Sequence, residues 1–123
     1  MDKRRFHHSL LPTHSALLSG RVPPDEIGFQ SDNLQIWFNN TPDGWIDDNP
    51  HFHEASDECF ILLEGEIVVS VEDERIVLKA GEFCCFPAGM RHAIIETRPP
   101  IRSLMLRAPS IADKVYDTGE RPQ

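Results

Sequence analysis

Long apolar runs are missing from this 123-residue chain. None approaches the ~18 residues that a membrane-spanning helix needs. The N-terminal stretch Met1-Asp2-Lys3-Arg4-Arg5-Phe6-His7-His8 is basic, but no apolar segment of signal-peptide length follows it. A cytoplasmic protein is the expectation. Positive charge is also scarce: 12 Lys and Arg stand against 20 Asp and Glu, for a formal net charge of -8. Nucleic acids and anionic membranes need a basic footprint, so neither is expected as a partner. Cysteine is limited to Cys59, Cys84 and Cys85. An odd number in a cytoplasmic setting argues against a disulfide framework. Cys84 and Cys85 are neighbours in Phe83-Cys84-Cys85-Phe86. On a strand their side chains leave opposite faces, so they read as small buried hydrophobes rather than as a redox or metal pair. Sustained helical periodicity, internal repeats and low-complexity segments are lacking as well.

What is present is a series of short β-like runs between turn residues. They are Leu34 to Phe38, Phe52 to His53, Cys59 to Leu63, Glu66 to Val71, Arg75 to Leu78, Glu82 to Phe86, His92 to Glu96 and Ile101 to Leu106. The breaks include Thr41-Pro42-Asp43-Gly44, Glu64-Gly65, Ala80-Gly81, Pro87-Ala88-Gly89 and Pro99-Pro100. Eight strands at this spacing predict an all-β sandwich or barrel over 34–108. Residues 1–33, broken by Pro12, Gly20, Pro23, Pro24 and Gly28, read as an N-terminal arm. Residues 109–123 read as a short tail with a helical turn around Ile111 to Tyr116.

The residues that carry chemistry cluster in two segments. Gly44 is followed, after six residues, by His51-Phe52-His53, then by Glu58 and by Gly65. His92 follows Gly81 and Pro87-Ala88-Gly89. His51 and His53 are two apart, so on a strand they share a face and can aim at one ion. Glu58 lies at an odd offset from His53. A reversal at Ala55-Ser56-Asp57 would let it open an antiparallel partner strand facing the same interior, with Phe60 and Leu62 on that inner face and Cys59, Ile61 and Leu63 outward. Ile94 and Glu96 are expected on the face of His92. Imidazole and carboxylate together suit a first-row divalent metal. His51, His53, Glu58 and His92 are therefore the candidate ligands. Asp57 is kept as an alternative, while Glu54, His7, His8 and His14 read as surface groups.

These two segments resemble the paired motifs of the cupin superfamily, which are small jelly-roll β-barrels, also described as double-stranded β-helices. The first family motif is Gly, five residues, His-x-His, three or four residues, Glu, six residues, Gly. This chain has six residues after Gly44 and otherwise matches through Gly65. The second motif is Gly, five residues, Pro-x-Gly, two residues, His, three residues, Asn. This chain matches from Gly81 to His92 and has Glu96 where the family has Asn. The resemblance implies that His51, His53, Glu58 and His92 hold the metal. It leaves Fe, Mn, Ni, Zn and Co open and offers dioxygenases, sugar isomerases and decarboxylases as activities. It also implies a homodimer.

The functional expectation is a metal-dependent, oxygenase-like enzyme acting on a small organic molecule, with Glu96 as a catalytic proton shuttle or a partner of a ligand imidazole. Trp37, Trp45, Phe60 and Phe86 are candidate pocket walls, and Arg91 reads as a surface residue. The alternatives are a binding or sensor module without turnover, and a metal that serves only as a structural staple.

Overall fold

The computed structural model describes residues 6–116. The basic stretch up to Arg5 and the end of the tail, with Gly119 and Pro122, lie outside the described residues. Among the described residues all regular elements are strands, and no helix is long and apolar enough to cross a membrane. The strands are β1 Ala16–Gly20, β2 Phe29–Gln30, β3 Gln35–Thr41, β4 Asp47–His53, β5 Asp57–Val71, β6 Glu74–Lys79, β7 Phe83–Phe86, β8 His92–Ala108 and β9 Lys114–Tyr116. The all-β architecture expected from the turn spacing, and the jelly roll implied by the family resemblance, are the ones observed.

Two long strands organise it. Cys59 to Leu63 and Glu66 to Val71 are parts of one strand, β5. His92 to Glu96 and Ile101 to Leu106 are likewise parts of β8. These two pair antiparallel from Asp57↔Ala108 to Val71↔His92. Around the first half of β5 and the second half of β8 lie β7 beyond β5 and β3, β1 and β2 beyond β8. Around the second half of β5 and the first half of β8 lie β6 beyond β5 and β4 and β9 beyond β8. The result is two layers joined through the same two strands.

The layers meet at a corner where the ladder slips between Leu62/Glu64 and Glu64/Glu66. Pro99 and Pro100 stand opposite, and proline has no N–H to give a ladder. Gly65 is required here. Its φ is +88°, and a Cβ would sit 2.5 Å from the Pro100 carbonyl oxygen. The corner also exchanges which residues face inward. Before it Glu58, Phe60 and Leu62 are buried; after it Ile67 and Val69 are. Between the layers pack Phe60, Leu62, Ile67, Val69, Leu78, Phe86, Ile94 and Ile101. Each large apolar side chain so buried contributes ~1.5–3 kcal/mol relative to exposure.

Both ends of the chain depart from expectation. The arm supplies β1, which pairs with β3, and the edge strand β2. The stretch expected as a helical turn forms β9 instead, pairing His51↔Tyr116, Phe52↔Val115 and His53↔Lys114. Pairing with β4 buries Val115, and this outweighs the weak local helical signal. Cys59 and Cys85 correct a third expectation. They are register partners across β5 and β7 and form a disulfide, whereas Cys84 is free. The disulfide joins residues 26 apart in sequence, a long-range pairing that cysteine spacing does not reveal.

Candidate metal centre

His51, His53, Glu58 and His92 converge. One ligand atom from each lies within 4.8 Å of all the others, and all four residues are buried. β4 brings the first two, β5 carries Glu58 as its second residue, and β8 opens with His92. The reversal expected at Ala55-Ser56-Asp57 is a crossing instead. β4 pairs with β8 and β9, not with β5, so His53 and Glu58 meet from different layers. The loop before His92 is fastened to the site by backbone. Gly89 N–H donates to His53 O at 2.8 Å, and Ala88 N–H donates to Asp57 Oδ1 at 3.0 Å. Asp57 is thus a loop anchor and is exposed, not a member of the cluster.

The three imidazoles are oriented alike. Their Nδ1 atoms point outward, to Asn49 O at 3.1 Å from His51, to Asp113 Oδ1 at 3.0 Å from His53, and to Met90 O at 3.1 Å from His92. Each of these outward partners is an acceptor, and with the proton on Nδ1 the Nε2 lone pairs face inward. There His53 Nε2 is 2.8 Å from Glu58 Oε2 and His92 Nε2 is 3.0 Å from Glu58 Oε1. In that tautomer lone pairs of imidazole and carboxylate face one another at these distances. A cation between them turns that repulsion into ligation, so the donor set fits a divalent transition ion.

Electrostatics agree with this arrangement. Burial, reinforced by neighbouring His92, pushes His51 down from 6.5 to about 4, so it is neutral at pH 7. Burial alone would raise Glu58, but its close contacts with the His53 and His92 rings outweigh that and hold the carboxyl well below the usual range. Phe86 stacks on His92 at 4.1 Å between ring centroids and 10° between planes, and so fixes that ring from behind. Cys84 is raised to about 11 by burial and by the Glu58 charge, which keeps its thiol protonated and a poor ligand.

The cluster floors a cavity of about 270 Å³. Trp37, Trp45 and Phe60 line it as expected, joined by Ile94 and Met105. Phe86 does not line it. Three polar residues that the sequence reading missed also face it: Asn39, Asp47 and Lys114. Lys114 Nζ and Asp47 Oδ2 form an ion pair at 3.0 Å.

Glu96 is not brought to the site. The β5–β8 register slips between Val68↔Glu96 and Val69↔Ile94, leaving Ile95 as an extra residue. A bulge of this kind reverses the faces beyond it. Glu96 turns outward, 56% exposed, with Oε2 3.6 Å from Arg98 Nη2. Thr97 takes the inward place, where Oγ1 accepts from Trp45 N and donates to Trp45 O. The acidic side chain that does reach the ligands from outside is Asp113. It was missed because its stretch was read as helical. The alternation of Ile111, Asp113 and Val115 is the signal that could have found it.

A family profile described as "Cupin domain" matches residues 39–102. A Bacillus subtilis protein, "Uncharacterized protein YdbB", is 42% identical over 57 residues, covering 46% of this chain and 48% of that protein. Among solved structures, DMSP lyase DddQ from Ruegeria pomeroyi superposes with a TM-score of 0.67 at 23% identity, covering 88% of this chain and 53% of that one. A cupin protein from Bacteroides fragilis superposes with a TM-score of 0.65 at 17% identity, covering 99% of this chain and 98% of that one. The chain spans about half the length of the Bacillus protein and of the Ruegeria lyase.

Proposed function

The chain belongs to the cupin family, and from that premise we propose that it is a metal-dependent enzyme acting on a small organic molecule. The observation that carries this reading is the convergence of three Nε2 atoms and the Glu58 carboxylate at the floor of an otherwise mostly apolar cavity. His51, His53, Glu58 and His92 would hold Fe, Mn, Ni, Zn or Co. Such an ion, when bound, supplies Lewis acidity toward substrate oxygen atoms and, for redox-active metals, access to O2 chemistry.

The protein's own side chains do the rest. Trp37, Trp45, Phe60, Ile94 and Met105 exclude water and set the shape of the substrate's apolar part. Asn39 and Lys114 are the polar groups in position to orient it. Asp47 and Lys114 neutralise one another at 3.0 Å, so no ionisable wall residue beyond the ligands stands unpaired as a general base. This favours an oxygenase-like reaction over one driven by a side-chain base. Elimination is the second reading. It is supported by the likeness to a DMSP lyase and would take the Asp47 carboxylate, released from Lys114, as its base. Anaerobic loading with each metal, followed by O2-uptake and product assays on a panel of small oxygen-bearing molecules, tests both. Turnover without O2 consumption would replace the first reading by the second. Tight stoichiometric binding without turnover would replace both by a sensor module.

We further infer a homodimer. Leu10 at 93% exposure and Ile27 at 79% line one open cleft of the arm, and the exposed Phe29 lies on the open edge strand β2, an arrangement that a second copy would cover. Light scattering coupled to size exclusion decides this; a monomer mass would overturn it.

A further inference from the structure

His53 is the one candidate ligand whose outward nitrogen has two rival partners. Its Nδ1 lies 3.0 Å from Asp113 Oδ1 and 3.2 Å from Arg107 Nη1. The two partners demand opposite things. A carboxylate only accepts, so it selects the tautomer with the proton on Nδ1. A guanidinium only donates, so it selects the tautomer with Nδ1 bare and the proton on Nε2. The inner nitrogen faces Glu58 Oε2 at 2.8 Å. With a proton there, Nε2 donates to Glu58 and is closed as a metal ligand.

Both rivals are held in place by other bonds. Asp113 is 4% exposed. Its Oδ2 accepts from Ser56 Oγ at 2.5 Å and from Ala55 N at 3.0 Å. Its own carbonyl accepts from Glu54 N at 3.1 Å. Asp113, the residue before β9, therefore clips the 54–56 segment at several points, and one carboxylate oxygen is left for His53. Arg107 stands beside Glu58 and Gln35 in the ladders of β8. Nη2 donates to Gln35 Oε1 at 2.9 Å, and among the described residues Nε is buried without a hydrogen-bond partner. The charged groups that face His53 are thus Glu58 on the inner nitrogen and Asp113 and Arg107 on the outer one.

We propose that Asp113 and Arg107 are opposed positioning residues for His53. Asp113 holds the imidazole in the Nδ1–H tautomer that turns the Nε2 lone pair to the centre. Arg107 imposes the opposite tautomer whenever Asp113 is lost. Asp113 lies beyond residues 39–102, so this control is carried by a segment outside the matched family region. The inference rests on the metal reading for its consequence, but the tautomer itself does not require a metal.

The experiment has two independent readouts on the full chain. Long-range proton–nitrogen NMR of the histidine rings, on metal-free protein, reports which nitrogen of His53 carries the proton. Chelator competition with Zn and Co reports the dissociation constant. Wild type is expected to show Nδ1–H. Asp113→Ala is expected to move His53 to Nε2–H and to weaken metal binding ~10–100-fold, the range for loss of a partner behind a ligand. Asp113→Ala combined with Arg107→Met should regain most of that loss, which a merely structural role for Asp113 would not allow. Ser56→Ala removes a bond to Asp113 without touching His53, and should leave the constant within about twofold. If Asp113→Ala does not fold, Asp113→Asn keeps an acceptor oxygen and should retain the Nδ1–H tautomer. The proposal falls if wild type shows Nε2–H, if Asp113→Ala binds metal within twofold of wild type, or if the double variant gains nothing. Should wild type bind no divalent ion while the tautomer still switches, the metal reading falls and the positioning roles stand.

Discussion

His53 Nε2 lies 2.8 Å from Glu58 Oε2, although the strands that carry them share no ladder. Only the crossing at Ala55-Ser56-Asp57 joins them, and the Asp113 carboxylate ties that crossing down. The closest contact in the candidate centre is therefore made between the two layers, and it depends on Asp113, which lies just before β9 and in neither of their strands.

A buried carboxylate flanked by two imidazoles should tolerate loss of charge poorly as a ligand and well as a shape. Glu58→Gln keeps the size of the side chain and can still hydrogen-bond to His53 and His92. It removes one anionic donor. Divalent metal binding should weaken by at least about 100-fold, more than for loss of a partner behind a ligand. Isothermal titration with Zn or Co measures this; affinity within tenfold of wild type would remove Glu58 from the ligand set.

Acid should weaken the metal-free protein over a defined range. The unfolded chain takes up a proton on His51 near 6.5, whereas in the folded protein the same group is pushed down to about 4. Between these values the unfolded state binds more protons, so folding stability falls as pH drops from 6.5 toward 4. Glu58 is lowered on folding and adds its loss in the same direction, below the ordinary carboxylate range. Thermal melting of chelator-treated protein from pH 7.5 to 4 should show a decreasing Tm. In His51→Gln the part of the slope above pH 5 should flatten. A Tm independent of pH across that window would contradict the buried, neutral assignment of His51.

Glu96 provides the opposite kind of test. The bulge at Ile95 turns it to solvent beside Arg98. Exposed pairs of this kind contribute ~0–1 kcal/mol. Glu96→Ala should leave metal affinity within about twofold and stability within about 1 kcal/mol. A tenfold loss of turnover on any substrate the protein is found to convert would return Glu96 to the site.

Which of these features the sequence disclosed follows from range. The convergence of His51, His53, Glu58 and His92 was legible because strand parity places His51 with His53 and glycine spacing brackets Glu58 and His92. The inward face of Phe60 and Leu62 was legible for the same reason. Parity then misled at Glu96, because a single bulged residue reverses every face beyond it and leaves no mark in composition. The Cys59–Cys85 disulfide, and the contact of Asp113 with His53 across 60 residues, depend on which strands become neighbours. Neither is encoded in a local window. At Lys114–Tyr116 a three-residue stretch is too short for periodicity to separate a strand from a turn of helix.

Gly65 joins the family motif to the architecture and carries the last prediction. It closes the first motif in sequence, yet it touches none of the four ligands. Its role lies at the corner where β5 and β8 pass from one layer to the other. The backbone there has φ +88°, and a Cβ would meet the Pro100 oxygen at 2.5 Å and Ile101 Cδ1 at the same distance. Ile101 is fully buried, so its side chain has no open space into which to retreat. Gly65→Ala thus combines a strained backbone, ~1–3 kcal/mol by itself, with a steric clash that must shift core or corner. A total destabilisation of ~3 kcal/mol or more is expected in urea unfolding, with loss of metal affinity following only as the corner moves Glu58. Gly81→Ala is the control. It also has positive φ, +88°, but an added Cβ meets nothing within 4 Å, so only the strain contribution should appear. Equal losses in the two variants would show that backbone conformation, not the close approach of Pro100, demands glycine at the corner.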